Sequence, residues 1–338
     1  MITIDGSHGE GGGQVLRTAL ALSLITGKPF RIENIRANRK SPGLLRQHLT
    51  AVQAATQVGD ANVEGASLGA ATLTFVPRAL RSGDYTFSIG TAGSTMLVLQ
   101  TVLLPLVLAG SPSTIELEGG THNPSAPPFD FIERAFLPLL RTMGAAVEIE
   151  LIRPGFFPAG GGRIRVRISP ATRLRRLELD ERGPITIRCA RAVVANLPRT
   201  IAEREVDVAA EELSWPQDCR EVHTLTGSVG PGNAISIIVG NERVTDVFTA
   251  FGKRGVRAEE VARAAVNQAR RYIDSGAAVG EHLTDQLLLP LAVGEGGSFT
   301  TTPLSGHSQT NIETIRHFVD RDITTEQISN GIVRVAIG

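Results

Sequence analysis

The chain has 338 residues, 42% hydrophobic and 20% charged, a composition typical of folded globular proteins and unlike that of disordered or fibrous chains. Its 34 basic and 34 acidic residues give zero net charge, which excludes a globally basic nucleic-acid binder but not a local basic site. No apolar run reaches the roughly 18 residues of a membrane helix, and the N-terminus lacks signal-peptide features. The two cysteines form neither a disulfide framework nor a zinc site, so we expect a cytoplasmic protein that does not bind membranes.

Three stretches of the chain share one pattern, in which a short strand, a loop of glycine and small residues and a strongly apolar helix follow one another. A glycine after each apolar run marks the end of the predicted helix. The predicted strands cover residues 2–5, 85–89 and 277–279, and the helices that follow them cover 14–26, 96–109 and 286–293.

The spacing of these stretches predicts an internal repeat with an insertion. Gly27 and Gly110 are 83 residues apart, whereas the tetrapeptide Leu-Leu-Pro-Leu at 103–106 recurs 185 residues later at 288–291. The excess of 102 residues between the second and third copies is the size of one small domain. We therefore expect a large domain of residues 1–182 and 277–338 and a small inserted α/β domain of residues 183–276. The alternative is three unrelated strand–helix pieces, which are common in α/β proteins.

Each predicted unit continues with a second strand and a second helix, and paired strands follow. These strands and helices cover 30–35 and 44–58, 114–118 and 129–143, and 298–302 and 311–318, with paired strands at 146–152 and 163–168. Within the insertion, the pattern predicts strands at 185–195, 234–239 and 243–251 and helices at 200–213 and 257–275.

The repeat spacing relates three residues that lie in the turn before the second helix of each unit. Steps of 83 and then 185 residues lead from Arg39 to His122 and from His122 to His307. Converging helix N-termini would form an anion site, where an arginine can bind phosphate and a neutral histidine can act as a nucleophile. The alternative for each histidine is an ordinary turn residue without a catalytic role.

Two further segments indicate phosphate chemistry. The loop Gly9-Glu-Gly-Gly-Gly-Gln14 places one carboxylate, Glu10, among glycines that allow close backbone approach, and it matches neither a Walker loop nor a dinucleotide fingerprint. Glu10 could bind a divalent ion shared with ligand phosphates, or it could be a solvated residue in a glycine-rich turn. A cluster of four cations at a predicted helix start favours a polyanion, although a solvated charged turn is the alternative: Arg36, Arg39, Lys40 and Arg46.

Five motifs occur in order along nearly the whole chain, and together they resemble the RNA 3′-terminal phosphate cyclase family. They are Gly9-Glu-Gly-Gly-Gly-Gln14, Pro42-Gly-Leu-Leu-Arg-Gln-His48 with the preceding Arg36, Asn123-Pro-Ser-Ala-Pro-Pro128, Pro158-Ala-Gly-Gly-Gly162 and Gly280-Glu-His-Leu-Thr-Asp-Gln286. The resemblance implies an α+β fold, with a large domain of three repeated units and a small inserted α/β domain. Each unit places two helices on a four-stranded sheet, like the C-terminal domain of translation initiation factor three.

The resemblance also implies ATP-dependent adenylyl transfer. In this family a histidine attacks the α-phosphate of ATP and forms a covalent histidine–AMP, and AMP then passes to an RNA 3′-phosphate to give RNA(3′)ppA. The vicinal 2′-OH closes the 2′,3′-cyclic phosphodiester and releases AMP. The implied partners are ATP, a divalent ion (Mg²⁺ or Mn²⁺) and RNA with a 3′-phosphate end.

The matching motifs carry the family's roles onto residues of this chain. His307 would be the nucleophile and Glu10 the metal ligand. The ATP site would comprise Gln100, Pro127, His282, Leu283, Thr284, Asp285 and Gln286, and the residues that bind phosphate or RNA would be Arg17, Arg36, Arg39 and Gln47.

Two positions depart from the family pattern. Residue 282 is His where Tyr is expected, which bears on nucleotide preference, and Pro154 stands where a basic residue usually precedes the glycine hairpin. One branch of the family lacks the histidine and acts as a non-catalytic RNA-binding factor in ribosome maturation, an alternative that His307 argues against. Enolpyruvyl transfer, the activity of distant relatives of the family, needs Lys and Arg around two anionic substrates, and the chain has only three lysines.

Overall fold

The computed structural model describes residues 1–329 and 331–338, and three of its four-stranded sheets share one connectivity. In each sheet the first strand is parallel to the second, the second antiparallel to the fourth and the fourth antiparallel to the third. The strands are β1 (Ile2–Asp5), β2 (Phe30–Glu33), β3 (Asn62–Glu64) and β4 (Leu73–Val76) in the first unit, and β5 (Asp84–Ser88), β6 (Ser113–Gly119), β7 (Ala146–Arg153) and β8 (Gly162–Ser169) in the second. The third unit comprises β9 (Leu177–Leu179), β14 (Gly297–Thr301), β15 (Ile323–Ser329) and β16 (Ile332–Ile337). The predicted repeat and fold class are confirmed.

Each unit places its helices on one sheet, and the apolar first helices of the units form the centre of the large domain. The helices are α1 (Gly13–Thr26), α2 (Arg46–Val58), α3 (Thr95–Val107), α4 (Phe129–Phe131), α5 (Leu137–Thr142), α8 (Glu281–Val293) and α9 (Gly306–Arg316). Helix α1 packs against α2, α3 and α9, and a helix buried on most of its faces needs the nearly continuous apolar sequence seen there. Among the described residues, no helix combines the length and the apolar character that crossing a membrane requires.

Two predicted helices differ from the structure. The segment predicted as one helix at 129–143 contains a π-helical turn (Ile132–Phe136) between α4 and α5. Helix α9 begins at Gly306, five residues before its predicted start, because the side chain of Ser305 caps the N–H of Ser308. His307 therefore lies in the first turn of α9 and not in the turn before it.

The first strand of the third unit was predicted at the wrong place. Of the expected strand at 277–279, Val279 forms only an isolated bridge to Thr301, whereas β14 pairs with β9, in which Leu177 precedes its partner Gly297 by 120 residues. Three residues with one apolar–polar alternation are too short a signal to identify β9 from the sequence. The insertion therefore interrupts the third unit after its first strand and not before the whole unit.

The inserted segment forms its own sheet with two helices. Its elements are β10 (Ile187–Ala195), α6 (Arg199–Leu213), β11 (Arg220–Thr224), β12 (Gly232–Gly240), β13 (Thr245–Phe251) and α7 (Ala258–Ser275). Strand β11 was not predicted, because its mixed polar sequence occupies a sheet edge and carries no apolar periodicity. A separate core around Ile237, Phe248 and Tyr272 supports the segment, while Ile238 and Val247 join the core of the large domain.

Candidate active site

A cavity of about 380 Å³ lies where the three units and the inserted segment meet. The first unit contributes Gln14 and Arg17 from α1, and the third contributes His307 from α9 together with the first two turns of α8. The second unit supplies Gln100 and the segment 125–128, and the inserted segment supplies part of β13 and Gln268. A concave, largely apolar cavity with a few convergent polar groups has the size and character of a small-molecule site.

His307 is linked to a chain of polar side chains at the rim of this cavity. Its Nδ1 is 2.9 Å from Oε1 of Gln14, and the amide nitrogen of Gln14 donates to Oδ1 of Asp285. Asn311, one turn further along α9, also donates to Oδ1 of Asp285 at 3.1 Å, and Thr18 donates to Asn311 at 2.9 Å. Residues from three helices therefore orient one imidazole ring.

The orientation of Gln14 determines which nitrogen of His307 carries the proton. Because the amide nitrogen of Gln14 donates to Asp285, its carbonyl oxygen faces His307 and must accept the Nδ1 proton. The neutral ring then keeps its lone pair on Nε2. With 54% of its side chain exposed, His307 presents that nitrogen to a ligand as a nucleophile.

The carboxyl group of Asp285 has two neutral amides and two basic side chains around it. Burial raises the pKa of Asp285, and the hydrogen bonds from Gln14 and Asn311 together with the charges of His307 and Arg17 oppose that rise. The carboxylate is thus held by neutral amides on one side and faces the cavity on the other. Such a group suits hydrogen bonding to a sugar hydroxyl or charge compensation next to a protonated imidazole.

Glu10 lies beside His307 and is held by three contacts from the rest of the site. Its Oε2 is 3.8 Å from Nε2 of His307 and forms an ion pair with Arg39. Its backbone N–H donates to Oγ1 of Thr310 at 3.1 Å, and the neighbouring Gly9 has a φ of +58°, where a Cβ would collide with the same hydroxyl. The glycines of the loop are therefore needed to bring this carboxylate against α9.

Arg17 is the cation without a partner in this cavity. It makes no side-chain hydrogen bond or ion pair with any residue that the structure describes, and its Nε is buried without an acceptor. Burial lowers the pKa of Arg17 to about 10, so it remains charged at neutral pH. The pKa of the neighbouring His48 is lowered to about 3, mainly because the ring is buried and in part because of the charges of Arg17 and Arg36. This ring is therefore neutral. A buried guanidinium with free donors is suited to binding phosphate.

Five of the seven residues predicted to bind ATP line the cavity, and Asp285 is one of them. Pro127 and His282 lie at its wall, and Gln100 donates a hydrogen bond to Gln286 across it. Leu283 and Thr284 do not reach the cavity, because Leu283 is in the hydrophobic core and Thr284 hydrogen-bonds to Thr301 on β14. Those two residues hold α8 against its sheet.

Three other predicted or considered residues lie away from the cavity. Arg36 donates to the backbone carbonyl of Gly43 at 2.9 Å, and Gln47 accepts from the backbone N–H of Ser94 at 3.0 Å, so both side chains brace loops. His122, only 2% exposed, stacks on Phe156 and has Nε2 3.5 Å from Asp130. The repeat position alone therefore does not bring His122 to His307.

Sequence reasoning missed two contributions to the site. The role of Gln14 had a signal, because it ends the glycine-rich motif, but its two partners lie more than 270 residues away. The wall formed by Val247, Thr249 and Phe251 had no signal, since alternate residues of β13 could equally have faced solvent.

The inserted segment also fixes the start of α8. Asp246 on β13, 1% exposed, accepts the backbone N–H of Gly280 at 2.8 Å and that of Val247 at 2.9 Å. Burial raises the pKa of Asp246 to about 7, and the two backbone hydrogen bonds oppose that rise. A carboxyl group from the inserted segment thus binds the residue immediately before the helix that carries His282 and Asp285.

Comparisons with known proteins agree with this architecture. A family model described as RNA 3′-terminal phosphate cyclase matches residues 8–325. Proteins named RNA 3′-terminal phosphate cyclase from Ectopseudomonas mendocina and Koribacter versatilis are each 52% identical, covering 99% and 100% of this chain and 98% and 95% of their own length. The relative of the same name from Salmonella typhimurium is 49% identical and covers 99% of both chains. The chain belongs to the RNA 3′-terminal phosphate cyclase family.

One solved structure is only distantly similar. The enolpyruvyl transferase NikO from Streptomyces tendae aligns with 99% of this chain and 48% of its own, at 12% identity and a TM-score of 0.38.

Proposed function

We propose that this chain converts an RNA 3′-terminal phosphate to a 2′,3′-cyclic phosphodiester at the expense of ATP, through covalent AMP on His307. The observation that carries the proposal is the accessible Nε2 of His307, left unprotonated by the Gln14 contact at Nδ1 and facing a cavity that contains an unpartnered arginine. Family membership over nearly the whole chain supports the same chemistry.

In the first step, Nε2 of His307 attacks the α-phosphorus of ATP. A P–N bond forms, the bond to the bridging oxygen breaks, and pyrophosphate leaves with the electron pair. The Nδ1 proton stays on the ring, so the imidazole of the adduct is cationic. Gln14 accepts that proton in a hydrogen bond, and Asp285 offers negative charge close to it.

In the second step, an oxygen of the RNA 3′-phosphate attacks the phosphorus of the adduct. The P–N bond breaks, His307 recovers its neutral form, and RNA(3′)ppA is released from the ring. The vicinal 2′-OH then attacks the 3′-phosphorus, AMP leaves with the electron pair of the bridging P–O bond, and the hydroxyl proton passes to the phosphate of the departing AMP. An imidazole is a good leaving group in phosphoryl-type transfer, which suits it to hand the nucleotide onward.

The cavity supports specific roles in nucleotide binding. Pro127 and His282 can contact the faces of the adenine ring, and Gln100, Asp285 and Gln286 offer hydrogen bonds to the base or ribose. Leu283 and Thr284 would act through the position of α8. The charge of Arg17 would compensate the triphosphate.

A divalent ion (Mg²⁺ or Mn²⁺) fits the donors present here only with the help of the nucleotide. No cluster of three or more His, Cys, Asp or Glu side chains among the described residues could hold a metal, but Glu10 offers one hard oxygen donor next to His307. One carboxylate plus substrate phosphates is a common Mg²⁺ environment. When bound, such an ion would neutralise developing charge on the phosphates.

For the RNA end, Arg39 is better placed than the other two candidates, Arg36 and Gln47, that lie outside the cavity. It already pairs with the carboxylate of Glu10 beside His307, so a phosphate that binds there would replace that carboxylate as the partner of Arg39. Arg36 and Gln47 would have to release their loop contacts before either could bind phosphate.

Incubation with α-labelled ATP and a divalent ion tests the proposal. We expect an acid-labile AMP on the wild-type protein and none on His307→Ala, because the Gln14 contact at Nδ1 leaves Nε2 of this imidazole free to attack. His317→Ala, an exposed histidine at the end of the same helix, is the matched control and should be labelled like wild type. Labelling of the His307→Ala protein would overturn the proposal, and RNA binding without any adduct would favour a non-catalytic maturation factor.

A further inference from the structure

The loop that follows β13 carries an unusual concentration of free positive charge. Most arginines in the described part of the chain contact carboxylates or backbone carbonyls. Lys253, Arg254 and Arg257 are all exposed, and none makes an ion pair or a side-chain hydrogen bond with a described residue. The nearby Glu259 forms its ion pair with Arg204 of α6 and with none of these three cations. We call residues 252–257 the basic loop.

The basic loop is attached directly to the wall of the cavity. Phe251, the last residue of β13, lines the cavity, and the backbone N–H of Gly252 donates to the carbonyl of Asn233 at 3.0 Å. Lys253 is two residues beyond Phe251, so its Cα lies within about 7 Å of the Cα of that residue. The unpaired cations of the basic loop therefore lie at the rim of the cavity.

An exposed aromatic ring lies on the same side of the molecule. Phe157 is 65% exposed, whereas its neighbour Phe156 is buried in a small apolar cluster against which Phe251 packs. Phe156 also lies against Gly232, one residue before the Asn233 that anchors the basic loop. Tertiary structure thus brings the tip of the 154–162 hairpin next to the basic loop, although the two are almost one hundred residues apart.

We infer that the basic loop and Phe157 form a docking surface for the single-stranded part of an RNA, on the 5′ side of its 3′-terminal nucleotide. Single-stranded nucleic acids are bound by cations that follow the phosphates and by aromatic rings on which bases stack. The inference rests on the proposed function, because an RNA whose end enters the cavity must leave over the rim. Free cations without counter-carboxylates fit a polyanion better than a second copy of this neutral chain.

The charge contribution is tested by binding a fluorescent ten-nucleotide RNA with a 3′-phosphate, followed by anisotropy at several salt concentrations. We expect Lys253→Glu/Arg254→Glu to raise Kd about tenfold or more and to lower the slope of log K against log salt by about 1.4, or about 0.7 per lost contact. Arg188→Glu/Arg271→Glu is the control, since both arginines are exposed and unpaired among the described residues and the charge change is equal. Arg271 is 14 residues beyond Arg257, mostly along α7, or about 21 Å away.

The stacking contribution is tested with Phe157→Ala, which should weaken the same RNA about fivefold or more. Ile328→Ala removes an exposed apolar side chain from β15 and should leave binding unchanged. A dinucleotide 3′-phosphate is too short to span the rim, so its affinity should respond much less to either variant. Far-UV circular dichroism and thermal unfolding of each variant establish that it is folded.

The outcomes separate this inference from the proposed function. If the basic-loop variant and Phe157→Ala bind the ten-nucleotide RNA as their controls do, the docking surface is wrong, whether or not ATP labels His307. If Phe157→Ala instead dissociates a dimer in sedimentation and RNA binding is unchanged, the surface joins two copies of the chain. If wild type never forms an AMP adduct, the proposed function fails, and the anisotropy series still decides the docking surface.

Discussion

Gln14 shows how one uncharged side chain sets the chemistry of a neighbouring residue. Its amide has a donor side and an acceptor side, and the structure uses the donor on Asp285 and the acceptor on His307. A carboxylate at this position would accept the imidazole proton but repel Asp285. An aliphatic residue would leave both partners free to rotate. The glutamine therefore fixes the tautomer without adding charge to the cavity.

We expect Gln14→Ala to slow formation of the AMP adduct about 10- to 100-fold, because the ring of His307 loses the partner that fixes its orientation and proton. Single-turnover labelling with ATP measures the rate. Gln309→Ala removes an exposed glutamine from α9, the helix of His307, and serves as the control. A Gln14→Ala rate within twofold of the control would show that His307 is oriented by other contacts.

At the scale of elements, the start of α8 depends on a strand from another part of the molecule. Gly280 has an ordinary φ of −81°, so its conformation does not require glycine. The packing around Gly280 does require glycine, because a Cβ at this position would lie 2.6 Å from Oδ2 of Asp246 and 3.3 Å from the ring of Phe248. The absence of a side chain lets β13 approach the first turn of the helix that carries His282 and Asp285.

Gly280→Ala should therefore move the start of α8 and weaken ATP binding about tenfold or more, since overpacking costs about 1–3 kcal/mol. Calorimetric titration with ATP measures the affinity. Gly110→Ala is the matched control, because nothing lies within 4 Å of its added methyl group. Equal affinity in the two variants would mean that the contact between β13 and α8 does not position the nucleotide site.

For the whole molecule, a buried polar seam joins the second unit to the inserted segment. Asp130 on α4 is 5% exposed, and its Oδ1 accepts from Nε of Arg191 on β10 at 3.0 Å. Burial by itself would raise the pKa of Asp130, but the hydrogen bond and charge of His122 and the charge of Arg191 bring it below its usual 3.8. The seam therefore stabilises the fold above that pH, and the stabilisation is lost as the pH falls through the pKa of the folded protein.

Replacing Arg191 by Met should lower the free energy of unfolding at pH 7 by about 3–5 kcal/mol, because Asp130 keeps its charge without the cation closest to it. The deficit should shrink below about pH 4, where protonation removes that charge. Urea unfolding at both pH values measures the change. Arg199→Met breaks an exposed ion pair with Glu203 and should cost about 1 kcal/mol or less. A deficit independent of pH would assign the effect to lost packing.

Local pattern was sufficient for a large part of this architecture. The three apolar helices with their following glycines and the elements of the inserted α/β segment follow from residues close together in the chain, where helix and turn preferences act. The repeat follows from comparing those local patterns along the chain. The motifs around Glu10, Asp285 and His307 were recognisable for the same reason, since each is a short run of residues with a definite chemistry.

Only the tertiary structure decided how those runs meet. The pairing of β9 with β14, the bridge from Gln14 to His307 and the approach of β13 to Gly280 each join residues far apart in the chain. Such contacts depend on how whole sheets and helices pack, and no local preference encodes them. The same packing buried His122 against Asp130 while it left His307 exposed at the cavity, so two histidines in equivalent positions of the repeat acquired different environments.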